Sequence, residues 1–227
     1  MVGSPSILGL RTRPSGADRD RPSLLRAVVI GGSAGGLEAF STLIEQLPAD
    51  FGMPILTVQH LHPADDGRFA ECLRTKTALV VIEPCDKQPI VPGHMYVAPA
   101  NYHMLVERDH TIALSVDEKI NWSRPSIDVL FQTAVDAYGQ GLVAVILSGA
   151  NADGAAGIRT VKANGGIAIV QDPRTASYPV MPQAAIDAAP VDFVLPPIEI
   201  AELLVSLARA EVMPVDGAWD AGLGGIP

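Results

Sequence analysis

Cysteine is scarce in this chain. Only Cys72 and Cys85 occur among its 227 residues, too few and too irregularly spaced for a disulfide framework or a metal-ligand pattern. They fit the reduced thiols of a cytoplasmic protein, with a single bridge as the other arrangement the count allows. Long apolar runs are lacking as well. The cleanest, Leu142 to Leu147, falls far short of the roughly 20 residues a bilayer requires and reads as a buried strand. Near the N-terminus only Ile7-Leu8-Gly9-Leu10 is apolar, too short for a secretory signal. Basic residues are outnumbered, with 16 Lys and Arg against 25 Asp and Glu, a net charge of −9. Residues 1 to 26 hold Arg11, Arg13, Arg19, Arg21 and Arg26 against Asp18 and Asp20, so that segment is +3 and the remainder −12. An acidic body excludes a nucleic-acid partner, because counterion release demands a basic surface.

What is present is the material of a folded core: 48% hydrophobic residues with 18% charged. Residues 1–24 are rich in Pro, Ser, Gly and Arg without a sustained period, which predicts a flexible leader. A domain over 25–212 follows, and a Gly/Pro-rich stretch over 213–227 predicts a flexible tail. Within the domain, Leu25 to Ile30 reads as a strand, Leu37, Phe40, Ile44 and Leu47 as one stripe of a helix, and Pro54 to Val58 as a second strand. The alternation resumes with a helix over Ile127 to Tyr138, a strand over Leu142 to Leu147, a helix over Asp153 to Asn164 and a strand over Gly166 to Val170. Phe193 to Leu195 and Ile198 to Ala210 give a last strand and helix. Between the halves, Gly93 to Pro99, Met104 to Val106 and Thr111 to Leu114 read as short strands of an antiparallel excursion. The expected class is α/β, a doubly wound and mostly parallel sheet.

Three of these strands are followed by a group suited to catalysis. Ser33 lies in Gly31-Gly32-Ser33-Ala34-Gly35-Gly36, where a strand turns into a helix. Glycines leave that hydroxyl uncovered, and a helix start offers free N–H groups to a developing oxyanion. His60 follows the second strand and Asp153 follows the strand ending at Leu147. In an open parallel sheet that edge is where ligands bind, so residues 27 and then 93 positions apart can share one crevice as nucleophile, base and orienting carboxylate. Taken singly, Ser33 is also an ordinary capping residue, His60 a core histidine, and Asp153 the N-cap of the helix after it. The order Ser, His, Asp differs from the Ser, Asp, His order of α/β-hydrolases.

Other chemistries compete for the same residues. His60 and His62 alternate along an extended segment and point to one side, with Asp65 or Asp66 nearby, the pattern of a zinc-dependent hydrolase. Such a metal leaves the Ser33 turn without a purpose. A dinucleotide loop fails because Ser33 stands where the second glycine of GxGxxG belongs, and the second strand ends in Gln59-His60 rather than an acidic ribose ligand. Ser148 and Asp172 also follow strands and are the reserve nucleophile and acid.

Five ordered motifs together resemble the catalytic domain of the CheB family of chemoreceptor methylesterases, from about Ala27 to about Leu207. They are Ile30 to Gly36, Gln59-His60-Leu61-His62-Pro63, Pro92 to Pro99, Arg124 to Phe131, and Ser148 to Gly157. The resemblance implies a doubly wound α/β domain with a Ser-His-Asp site on Ser33, His60 and Asp153. It implies removal of methyl groups from glutamate γ-methyl esters of methyl-accepting chemotaxis receptors, and deamidation of receptor glutamines, without a cofactor. The partners implied are the methylated helices of chemoreceptors or related signalling proteins, with no membrane insertion. A catalytically silent or differently targeted CheB-like signalling module is the remaining alternative. Two departures stand out. The family often has threonine where this chain has Ala34, and Thr-Gly-Met-Gly-x-Asp-Gly where this chain has Ser148-Gly149-Ala150-Asn151-Ala152-Asp153-Gly154. Asparagine tolerates the left-handed backbone that glycine adopts, so Asn151 is a mild change. The leader is too short for a receiver domain, so control is expected from another protein, the leader, or the substrate's conformation.

Overall fold

The structure is a computed structural model, and it describes residues 27–210. The expected leader and tail lie outside the described residues. Strand β1 (Ala27–Gly32) is buried along its whole length. It turns into helix α1 (Gly36–Ile44) and returns as β2 (Ile55–Gln59), which pairs with β1 in parallel. Helix α2 (Arg68–Arg74), β3 (Val80–Ile82) and β4 (His94–Val97) follow. Strands β5 (His103–Val106) and β6 (Ile112–Ser115) form a separate antiparallel hairpin. The second half runs α3 (Ile127–Tyr138), β7 (Leu142–Ile146), α4 (Ala155–Ala163), β8 (Ile167–Gln171), α5 (Val180–Ala188), β9 (Phe193–Leu195) and α6 (Pro197–Ala210).

Seven strands make one parallel sheet in the order β3-β4-β2-β1-β7-β8-β9. The chain works outward from β1 through β2, then crosses back to lay β7 on β1's other side, so β1 is flanked by strands from both halves. Alternate side chains of the strands point to opposite faces, and each face has its own core. Val28 and Ile30 of β1 pack with Phe40 and Leu43 of α1, Phe69 and Leu73 of α2, and Ile200 and Leu204 of α6. Ala27 and Val29 face the other way, toward Ile127, Leu130 and Phe131 of α3, Ile158 of α4 and Met181 of α5. The β5–β6 hairpin closes that second layer with Met104, Val106 and Ile112. No helix among the described residues is long and apolar enough to cross a membrane, and both Cys72 and Cys85 are free.

One expectation needs correction. The segment Gly93 to Pro99 does not join the antiparallel excursion: β4 lies inside the parallel sheet, between β2 and β3. Met95, Tyr96 and Val97 are fully buried, the continuous apolar run of a strand covered on both faces. The β3-to-β4 crossover contains no helix, so the usual mark of a parallel connection is missing from the sequence. Leu37 also departs from expectation. It is 45% exposed, while Phe40, Leu43 and Ile44 carry the inward stripe of α1.

Candidate active site

The site is built where β2, β1 and β7 end side by side. Gly32 is level with Gln59, and Gly31 is level with both Val58 and Ile146, so the next residues leave the sheet at one height. The ladder extends into the loops: the His60 N–H donates to the Gly32 carbonyl (3.1 Å), and the Ser33 N–H donates to the Ser148 carbonyl (2.9 Å). Ser33 is therefore pinned at the strand tip. Two residues later Gly35 takes φ +72°, a backbone that a side chain would strain, and a Cβ there would meet Ser148 Oγ at 2.8 Å. That left-handed residue swings the chain straight into α1 and leaves Ser33 half-buried at the mouth of the turn.

The three expected side chains converge. Ser33 Oγ lies 3.2 Å from His60 Nδ1, and His60 Nε2 lies 2.8 Å from Asp153 Oδ2. Asp153 is 1% exposed, yet its carboxylate accepts four bonds besides that from His60. The Ile127 N–H donates to Oδ2 at 2.7 Å; Ser126 Oγ, Asn121 Nδ2 and the Asp128 N–H donate to Oδ1 at 2.9, 2.9 and 3.3 Å. Burial pushes this carboxyl up, but the bonds from His60, Asn121 and Ile127 outweigh it and hold it below the ordinary carboxylate value. An ionised carboxylate only accepts, so His60 carries its proton on Nε2 and turns a bare Nδ1 to the serine hydroxyl.

Asp153 does not cap the helix that follows it. Gly154 occupies that N-cap position, without a side-chain cap. The carboxylate instead meets the first N–H groups of α3, those of Ile127 and Asp128, 26 and 25 residues upstream, where the positive helix end favours an anion. Ser126, the N-cap residue of α3, makes no capping bond of its own and gives its hydroxyl to Asp153. Serine before a helix reads as a cap in sequence, so this partner of Asp153 was visible but its use was not. Asn121 and Asp128 were not foreseen. Asn121 Nδ2 bridges Asp153 Oδ1 and Asp128 Oδ2 (2.8 Å), and Asp128 Oδ1 accepts from the Gly157 N–H of α4. Burial pushes Asp128 up, and the Asp153 charge adds to the rise.

Gln59 is the other unforeseen partner. Its amide donates to the Ser33 carbonyl (2.7 Å) and to its neighbour His60's carbonyl (3.2 Å), tying the backbone of Ser33 to that of His60. The reserve candidates take structural places. Ser148 Oγ donates to the Ala34 carbonyl (2.8 Å) and accepts from the Tyr178 N–H, which makes it a brace behind the Ser33 turn. Asp172 forks onto Arg174, whose hydrogen bonds hold it below the ordinary carboxylate value. His62 does not join His60; its Nδ1 accepts from the Ala64 N–H (3.2 Å). Among the described residues no group of three or more His, Cys, Asp or Glu is placed to hold a metal ion. Asn151 stands close, with Nδ2 3.5 Å from His60 Nδ1 and Oδ1 accepting from the Asp153 N–H.

A cleft of about 690 Å³ opens beside Ser33 between α1 and α2, lined by Leu37, Leu61, Phe69, Gln59 and Arg68 among others. This geometry can deliver a hydroxyl nucleophile to an acyl carbon with a histidine to take its proton. The family model for the CheB methylesterase matches residues 28–204. The chain belongs to the CheB methylesterase family. A Leptospira interrogans protein, provisionally named protein-glutamate methylesterase/protein-glutamine glutaminase, is 49% identical over 181 residues, 80% of this chain and 94% of that protein. An Archaeoglobus fulgidus protein named protein-glutamate methylesterase/protein-glutamine glutaminase is 38% identical over 188 residues, 82% of this chain but 54% of its own length. The crystal structure of the Thermotoga maritima CheB methylesterase catalytic domain superposes with a TM-score of 0.77 at 34% identity, covering 80% of this chain and 98% of that one. The expected fold is thus that of a CheB catalytic domain.

Proposed function

We propose that this CheB-family chain is a serine hydrolase that removes methyl groups from glutamate γ-methyl esters of chemotaxis receptors, with Ser33, His60 and Asp153 as its catalytic residues. The observation that carries the proposal is the continuous relay from Ser33 Oγ through both nitrogens of His60 to Asp153. Ser33 attacks the side-chain carbonyl carbon while His60 Nδ1 takes the hydroxyl proton. Collapse of the tetrahedral adduct breaks the bond to the methoxy group, which leaves as methanol with the proton from Nδ1. Water then attacks the glutamyl-serine ester, again giving its proton to Nδ1, and the carboxylate departs as Ser33 recovers its hydrogen. Asp153 keeps Nε2 protonated and steadies the imidazolium that forms in each half-reaction. The N–H groups of Ala34 and Gly35, at the positive end of α1, are the donors assigned to the oxyanion; each well-placed donor lowers such a barrier by about 3–4 kcal/mol. The same attack on a glutamine amide expels ammonia and yields the same carboxylate. The steps draw on side chains, backbone and water, in the cytoplasm, where the receptor's methylated helices lie.

The test is methanol release from methyl-labelled receptor by the wild type and by Ser33→Ala. A loss of several orders of magnitude is expected, because members of a triad act as a unit. Equal release by both removes Ser33 as the nucleophile.

A further inference from the structure

Trp122 is 96% exposed, and its backbone is held where a tryptophan is costly. Ile120 and Ser123 pair across a two-residue turn, exchanging N–H···O bonds of 3.2 and 2.9 Å. The two central residues, Asn121 and Trp122, both have positive φ, +51° and +64°, the geometry that favours Asn-Gly. Asparagine suits the first place, but a bulky side chain is disfavoured at the second. The turn is nonetheless fixed. Arg124, the residue after it, ties that end down by donating to the carbonyls of Val116 and Asp117 and to Asn101 Oδ1, and Asn121 anchors its tip to Asp153. A strained, rigid turn therefore lifts a large apolar ring into solvent, one residue from the side chain that grips the triad's carboxylate. Burial of such a ring at an interface is among the largest single contributions to protein recognition.

We propose that Trp122 is a contact residue for the protein substrate, packing against the helical segment that bears the ester when that ester is at Ser33. This rests on the methylesterase reading above. Ser33, His60, Asp153 and Asn121 follow one another by hydrogen bonds of 3.2, 2.8 and 2.9 Å, so the turn that carries Trp122 is joined to the relay at Asp153, the end away from Ser33. A protein partner covering a standard interface of about 800 Å² per side reaches well beyond the ester itself. A small ester entering the cleft by α1 has no such reach. Trp122 thereby favours an ester carried on a folded helix over a free one.

The experiment compares wild type with Trp122→Gly, which fits φ +64° without strain and preserves the turn. Two rates are read: kcat/KM for methanol release from methylated receptor, and the rate at which a fluorophosphonate labels Ser33. The ratio of receptor rate to labelling rate is expected to fall about tenfold or more in Trp122→Gly, with the loss in KM. In a Trp219→Phe, Ser33→Ala background, Trp122 emission is expected to shift to the blue on adding receptor. An unchanged ratio overturns the inference, as does an equal fall in both rates, which places the effect in Asp153 instead. Wild type that labels at Ser33 yet frees no methanol from receptor overturns the methylesterase reading, and this inference with it.

Discussion

At the scale of single residues, Asp153 is the most constrained group of the site, and its donors dictate what a substitution does. Asparagine at 153 turns one oxygen into an NH₂ group that must face donors on either side, Asn121 and Ser126 or His60 and Ile127. If it faces His60, Nδ1 takes the proton and can no longer accept one from Ser33. Asp153→Asn is expected to lower kcat for methanol release by about four orders of magnitude with KM little changed. The same variant has a pH signature. Asp153 lies below its ordinary 3.8 in the fold, so the stability it contributes is present above that value and is lost as pH falls through the lower folded one. Denaturant melts from pH 6 down to acid are expected to show the wild type's advantage over Asp153→Asn shrinking below about pH 4. Gln59 acts one step back. A Cβ on Gly36 would meet Gln59 Oε1 at 2.2 Å, and that amide yields only by releasing the Ser33 carbonyl. Gly36→Ala is expected to cost about a hundredfold in kcat at modest loss of stability, the cost of moving a nucleophile by an ångström. Ser33, His60 and Asp153 could be read in the sequence because each follows an apolar run whose end is marked. Asn121 and Gln59 could not, and Ser126 only as a helix cap, because their work depends on which carbonyl or carboxylate the folded chain brings to them.

At the scale of elements, α3 is the part that couples stability to the site. Its first residue, Ile127, packs on β1 closely enough that a Cβ on Gly31 would meet Ile127 Cγ2 at 2.4 Å, and its N–H holds Asp153. Gly31→Ala is therefore expected to cost about 1–3 kcal/mol in denaturant unfolding and to lower kcat as well, since α3 cannot shift without moving Asp153. Adding Ile127→Ala, which removes the clashing Cγ2, Cγ1 and Cδ1, should restore part of the lost rate. That recovery is the check, because a clash purely local to β1 would leave kcat untouched in both variants. The strands β1, β2, β7 and β8 and the helix α3 were legible from periodicity, as was the β5–β6 hairpin. Helix α2, strand β3 and helix α5 were not. Each is short, and α5 buries only Met181, Pro182 and Ala185, too few apolar positions to trace a stripe. Strand β4 was legible as a strand but not in its direction, because its crossover lacks a helix and its partners, β2 and β3, are set by the sheet.

At the scale of the whole molecule, the site is a consequence of strand order. The crossing that carries the chain from β4 back to β7 places β2, β1 and β7 as neighbours, and only that adjacency brings loops from both halves of the sequence together. The doubly wound class was readable from the alternation of elements, but the order of strands was not, since β3 at one edge and β4 inside it reverse their order along the chain. Both faces of the sheet are covered by helices within 27–210, with Ile200 and Leu204 of α6 completing the core under α1. The three side chains of the relay lie between Ser33 and Asp153, and support from outside that span comes from β1, the Gly157 N–H of α4 on Asp128, Tyr178 behind Ser148, and the α5 and α6 packing. We therefore expect residues 25–212 to act as one domain: a fragment of that span should unfold in a single cooperative transition and match the full chain in methanol release. A shorter fragment ending before Pro197 removes α6, uncovers the sides of α1 and β8 it packs against, and should lose both the transition and the activity. Activity retained without α6 would mean that the packing behind α1 does not hold the Ser33 turn.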